Sequence, residues 1–260
     1  MKKFTNIALI AALISTVNLA FAETKAVTVA PAEKAKIEQV VKQYLSENPE
    51  IIIEAVQGYQ RKQYEQAEQT VKQTQKNAPQ YVDALFRQAN DPIAGNPNGK
   101  VTVVEFFDYQ CPHCVDMAPV IQDVVKANPE VRIVFKEFPI RGPISEYAAR
   151  AALAANKQNK YVPFQHALLT SKQPLSQEVV LKIATETGLN VEQLKKDMHD
   201  ESVNSQIKAT YQLAQNLKLF GTPAFFIGKT NATKDNATIN YIPGQLDKTQ
   251  LQGEIDKASK

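Results

Sequence analysis

Val101-Thr-Val-Val-Glu-Phe-Phe-Asp-Tyr-Gln-Cys-Pro-His-Cys114 decides how this chain of 260 residues folds. All but one of its first seven residues are β-branched or aromatic on both alternating faces, as in a strand buried in the middle of a sheet. Past the turn, Val115, Ala118, Val120, Ile121 and Val124 recur at helical spacing, so a helix is expected from Cys111 to Asn128. Val131-Arg-Ile-Val-Phe135 then reads as a second strand. Strand, helix and strand at these lengths make a βαβ unit with a right-handed crossover.

The two cysteines, the only ones in the chain, fall where the first strand hands over to the helix. A C-x-x-C pair closes a loop of a few residues and cannot staple distant segments, so its value is chemical rather than structural. At a helix start the amide N–H groups lack partners and the dipole is positive, which favours a thiolate. Cys111 is therefore expected to be the exposed nucleophile and Cys114, one turn on, the shielded resolving thiol. His113 adds an imidazole that favours a neighbouring anion. Pro112 stiffens the turn and has no N–H to leave unpaired. The alternatives fit less well. A structural zinc site needs about four ligands and no second cysteine pair exists; covalent haem attachment needs a histidine after the second cysteine, where Val115 stands. Neither a metal nor another cofactor is called for. An inert disulfide is the remaining alternative.

Outward toward the N-terminus, Lys2 and Lys3 precede an apolar run from Ile7 to Phe21 that ends in Ala20-Phe-Ala22. This is the pattern of a signal peptide over residues 1–22, cleaved near Ala22/Glu23, with an uncleaved anchor as the alternative. No cysteine lies near the cut, so no lipid anchor is expected. Without Lys2 and Lys3 the chain keeps 28 basic against 27 acidic residues, a net charge of +1. So balanced a chain gives no electrostatic reason to expect nucleic acid as a partner.

Residues 33–78 read as helix, with Ile37, Val40, Val41, Tyr44, Leu45, Ile52, Ala55, Val56 and Tyr59 at spacings of three and four. A restart is expected at Asn48-Pro49, with Asn48 capping the second helix. Two helices cannot build a core alone, so this stripe must dock on the main domain or on a second copy of the chain. A turn-rich linker spans Asn90 to Gly99. Beyond the βαβ unit the pattern is helical from Ser145 to Leu219, then Ala224-Phe-Phe-Ile227 and Tyr241-Ile242 read as short strands before a closing helix from Leu246.

Glu105-Phe-Phe-Asp-Tyr-Gln-Cys-Pro-His-Cys114, the long helical stretch and Gly221-Thr-Pro-Ala-Phe-Phe226 together resemble the DsbA family of bacterial periplasmic dithiol oxidases, from about Asp83 to the C-terminus. The N-terminal helices resemble those of an extended, dimeric branch. The resemblance implies an α/β, thioredoxin-like fold with an inserted helical domain and an N-terminal helical extension. Its parts would be residues 23–78 (extension and dimerisation), 79–143 (first part of the thioredoxin-like domain), 144–213 (insert) and 214–260 (last part). It implies a cis Pro223 after Thr222, exposing backbone on which an extended substrate strand pairs near Cys111. It also implies that Glu105 is a buried acid moving protons to and from Cys114, near Lys136; the alternative is a plain buried ion pair. A stable Cys111 thiolate and an oxidising disulfide are expected of the family, as are periplasmic location, exported cysteine-containing proteins as substrates and a quinone-linked membrane reoxidant. Three functions remain open at this point: a net oxidase, a dimeric isomerase, or a non-enzymatic, chaperone-like periplasmic binding protein with a structural disulfide.

Overall fold

The computed structural model describes residues 30–260, so the expected signal peptide lies outside the described residues. The chain divides into two compact units at Gln60/Arg61.

The first unit holds α1 (Pro31–Glu47) and the start of α2 (Glu50–Asn77). The break falls at Asn48-Pro49, as the sequence requires. Its chemistry differs from expectation, because the Asn48 side-chain amide turns back to donate to the Tyr44 carbonyl at 2.8 Å, closing α1. Ile37, Val40, Val41, Tyr44, Ile52, Val56 and Tyr59 stand exposed along this unit.

The second unit is built on a five-stranded sheet of order β1-β3-β2-β4-β5. Its strands are β1 (Ile93–Gly95), β2 (Val101–Phe107), β3 (Val131–Glu137), β4 (Ala224–Lys229) and β5 (Ile239–Pro243). Only β2 and β3 run parallel, joined by α4 (Pro112–Ala127); the other pairs are antiparallel. The expected linker after Asn90 thus contains an edge strand. Gly95 makes it possible: at φ +75° its backbone passes so close to β3 that a Cβ there would stand 2.5 Å from the Val131 carbonyl oxygen.

Side chains alternate across β2 and sort into two cores. Val101, Val103 and Phe107 face α4 and α10 (Lys248–Ser259), and that core continues into α5 (Pro143–Asn156), α6 (Tyr161–Leu169), α7 (Gln177–Glu186) and α8 (Val191–Asp197). Val104 and Phe106 face α3 (Val82–Phe86) and the end of α9 (Glu201–Asn216). Within this unit the last turns of α2 are docked. Thr74, 1 % exposed, donates to the Leu217 carbonyl at 2.6 Å, and the Gln75 side chain pairs with the backbone of Ile239 and Tyr241. The inserted helices, α5 to α9, run from Pro143 to Asn216. Among the described residues no helix is long and apolar enough to cross a membrane.

Candidate active site

Cys111 is the N-cap of α4, with extended backbone (φ −84°, ψ 116°), and Pro112 opens the helix where its missing N–H costs nothing. The Cys111 carbonyl accepts from the amides of Cys114 and Val115, both at 3.0 Å. Asp108 shapes the turn leading in. Its Oδ1 accepts from the Gln110 amide and the Ser145 hydroxyl, both at 2.7 Å, and its Oδ2 from the Arg141 amide at 2.9 Å. One buried carboxylate therefore ties the turn to the segment entering α5.

Across from the cysteines, Thr222–Pro223 is a cis peptide, and the Cys111 thiol donates to the Thr222 carbonyl at 3.2 Å. The Thr222 hydroxyl is itself buried without a partner. The turn before α10 meets both sides of the site. The Gly244 amide donates to the Pro223 carbonyl at 2.8 Å, and Gln245 Oε1 lies 2.9 Å from His113 Nδ1.

Both thiols are free. Burial opposes ionisation of Cys111, but the Thr222 hydroxyl, the Cys114 amide and thiol and the Arg141 charge all favour its anion, outweigh burial and draw this thiol below its ordinary value. Cys114 goes the other way: burial pushes it well up and the Glu105 charge adds to the push. The pair is thus split into one sulfur disposed to ionise and one held as thiol. The expected exposure of Cys111 is corrected, since it has 0 % of its surface exposed, as has Cys114. The cover is shallow, because its neighbours Gln110, Pro112 and His113 are exposed.

Glu105, 2 % exposed, lies mid-β2 on the α4 side of the sheet. Burial pushes its carboxyl up to about 8, and the Cys111 charge contributes. Lys136 does not join it. In the parallel register Lys136 stands beside Phe106, one residue out of step with Glu105, so its side chain emerges on the opposite face. There it forms a buried ion pair with Asp91 and donates to the Ala84 carbonyl at 2.6 Å. The ion pair expected as an alternative thus exists on the other face and with another acid.

Asp108, Arg141 and Gln245 were not singled out in the sequence. An Asp in a tight turn between strand and helix was a signal for the first; the other two come from distant segments. Glu137 lies just beyond the strand that the sequence marks, Val131 to Phe135, although an acid in an apolar strand is the same signal that marks Glu105. Among the described residues no cluster of three His, Cys, Asp or Glu side chains is arranged to hold a metal ion.

A thioredoxin fold with a split dithiol at a helix N-terminus and a cis-proline opposite defines the class of protein. The chain belongs to the family described as the DSBA-like thioredoxin domain, whose model matches residues 102–256; residues 33–66 match the copper resistance protein ScsC N-terminal domain. It therefore represents the N-terminally extended, DsbA-like branch of thiol–disulfide oxidoreductases. It is 28 % identical to the thiol:disulfide interchange protein DsbA of Bordetella parapertussis, over 65 % of this chain and 80 % of that one. Among solved structures it is similar to a thioredoxin-like oxidoreductase from Silicibacter pomeroyi (44 % identity, 68 % of this chain, 96 % of that one, TM-score 0.62). It is also similar to BcfH of Salmonella enterica Typhimurium (32 % identity, 88 % of this chain, 97 % of that one, TM-score 0.63).

Proposed function

We propose that the protein is a periplasmic oxidoreductase that introduces disulfides into exported cysteine-containing proteins through Cys111 and Cys114. The observation that carries this is geometric: Cys111 caps α4 against the cis Thr222–Pro223 peptide with Cys114 one turn on, a placement that favours the anion at the first sulfur and the thiol at the second. In the oxidised enzyme a substrate thiolate attacks Cys111 Sγ. The Cys111–Cys114 bond breaks, its electron pair goes to Cys114, and Glu105 supplies the proton that makes Cys114 a thiol. A second substrate thiolate attacks the substrate sulfur of the mixed disulfide, and Cys111 leaves as a stabilised thiolate. Thr222 and Pro223 present backbone to the incoming strand, and Pro112 and His113 hold the N-terminus of α4. A quinone-linked membrane protein reoxidises the dithiol.

The exposed apolar stripe of the first unit supports a homodimer through residues 33–78, and with it a second reading, isomerase activity by two reduced sites sharing one client. The redox state of Cys111 in cells separates the two: oxidised for the oxidase, reduced for the isomerase.

The test is a Cys114→Ala variant, which cannot resolve the mixed disulfide. Expressed with its leader, it should accumulate covalent adducts with exported proteins that a reductant releases, and Cys111→Ser should form none. Adducts at equal level in both variants would sink the proposal.

A further inference from the structure

Glu137 is the buried acid that the exchange just described leaves without a task. It closes β3 with 2 % of its surface exposed. In the parallel register Glu105 stands beside Phe135 and Phe107 beside Glu137, so the two glutamates are diagonal neighbours on the sheet face beneath α4. Strand spacing and rise put their backbones about 8 Å apart. The Phe107 and Phe135 rings fill the other diagonal, with centroids 5.9 Å apart.

The Glu137 carboxyl is half satisfied. Its Oε1 accepts from the Tyr109 hydroxyl at 2.8 Å and the Tyr161 hydroxyl at 2.7 Å, whereas Oε2 is buried without a partner. Two donors on one oxygen suit a carboxylate. A bare second oxygen suits a proton there. An acid required only as an ion would have both oxygens matched. The titratable groups facing it are Glu105 of β2, Asp108 and Tyr109 of the turn, and Tyr161 of α6, while the lysine of its own strand, Lys136, is on the other face with Asp91. Burial pushes Glu137 up to about 8 against the two hydroxyls, and the Asp108 and Glu105 charges add to the rise.

We propose that Glu137 is a second acid of the dithiol site, a positioning residue acting through Glu105: an ionised carboxyl on either residue opposes ionisation of the other across the sheet diagonal, so Glu105 keeps its proton until Cys114 takes it. The inference rests on Glu105 being the donor to Cys114. When the Cys111–Cys114 bond breaks and Cys114 takes the Glu105 proton, Glu105 is left as a buried anion beside Glu137. One proton from water then restores Glu105, so reduction of the enzyme takes up one proton at Cys114, which is released when the Cys111–Cys114 bond is reformed.

The test follows the infrared band of protonated carboxyls in the oxidised, full-length protein as pH rises, with bands assigned by difference from Glu105→Gln. Wild type should lose the band in two steps, because coupled acids titrate as a pair. Glu137→Gln should show one step, about one pH unit below the upper wild-type step, and the pH profile of Cys114 in the reduced protein should move with it. Tyr161→Phe keeps the carboxyl and removes a donor to its anion, so it should raise the upper step. Either variant leaving the upper step in place overturns the inference. Glu105→Gln isolates the reading beneath it. If that variant leaves the Cys114 profile unchanged, the role of Glu105 falls; if it changes the profile and Glu137→Gln does not, only the coupling to Glu137 falls.

Discussion

At the scale of single residues, the site is governed by carboxyls placed where charge is costly. Glu105 and Glu137 are each raised from 4.5 to about 8, first of all by burial. An acid whose folded pKa is raised supports the fold fully below its unfolded pKa and withdraws that support as pH climbs toward the folded value. Urea unfolding of the oxidised protein should therefore show stability falling between about pH 4.5 and 8. Glu105→Gln should remove roughly 3–4 kcal/mol of that fall. Equal slopes in the two proteins would contradict the burial argument. Asp108 answers to a different cause, hydrogen bonding to three donors from three residues. Asp108→Ala leaves those donors unmatched and should cost about 1–3 kcal/mol. It should also slow or scatter the alkylation of Cys111, since the turn that presents the sulfur is no longer fixed.

At the scale of elements, β2 shows how much one register decides. An acid and a lysine in adjacent buried strands read naturally as partners, yet period-two alternation sends Glu105 to one face and Lys136 to the other. Nothing in the linear order of Val131 to Glu137 says which residue of β2 it meets. Lys136 and Asp91 are a structural pair. Removing one partner leaves a charge buried alone, so Lys136→Met should destabilise by about 3–5 kcal/mol. The double change with Asp91→Leu should regain most of this loss, and neither protein should alter the pH dependence of Cys111 alkylation. A shifted profile in the double variant would place Lys136 back in the site. The strands, the active-site helix and the break at Asn48-Pro49 were legible because each has a strong local signal. β1 was not, because three residues beside turn formers carry too little pattern, and the strand exists by pairing with β3.

For the whole molecule, the extension does not behave as one piece. Its described residues up to Gln60 fall in one compact unit, and α2 from Arg61 onward belongs to the unit that carries the sheet. Deleting residues 23–60 should give a monomer by sedimentation with Cys111 chemistry intact. Deleting 23–78 should also strip Thr74 and Gln75 from the Leu217 and β5 backbones and remove Ala78 and Val71 from the core they share with Val104 and Phe106, lowering the Tm by several degrees or more. A 23–78 deletion as stable as the shorter one would show that the last turns of α2 are dispensable.

From its order of residues alone, this chain determined a buried strand delivering two cysteines to the start of a helix, and with that the chemistry of a dithiol. Those features are local: side-chain alternation, helical spacing and unpaired amides are set within a dozen residues. Tertiary structure alone decided that Cys111 is covered, that Arg141 comes beside it and Gln245 beside His113, that Lys136 faces away, and that Glu137 stands diagonal to Glu105. These depend on strand register and on contacts between segments a hundred residues apart, which are fixed only when burial of the whole sheet selects one pairing over its alternatives.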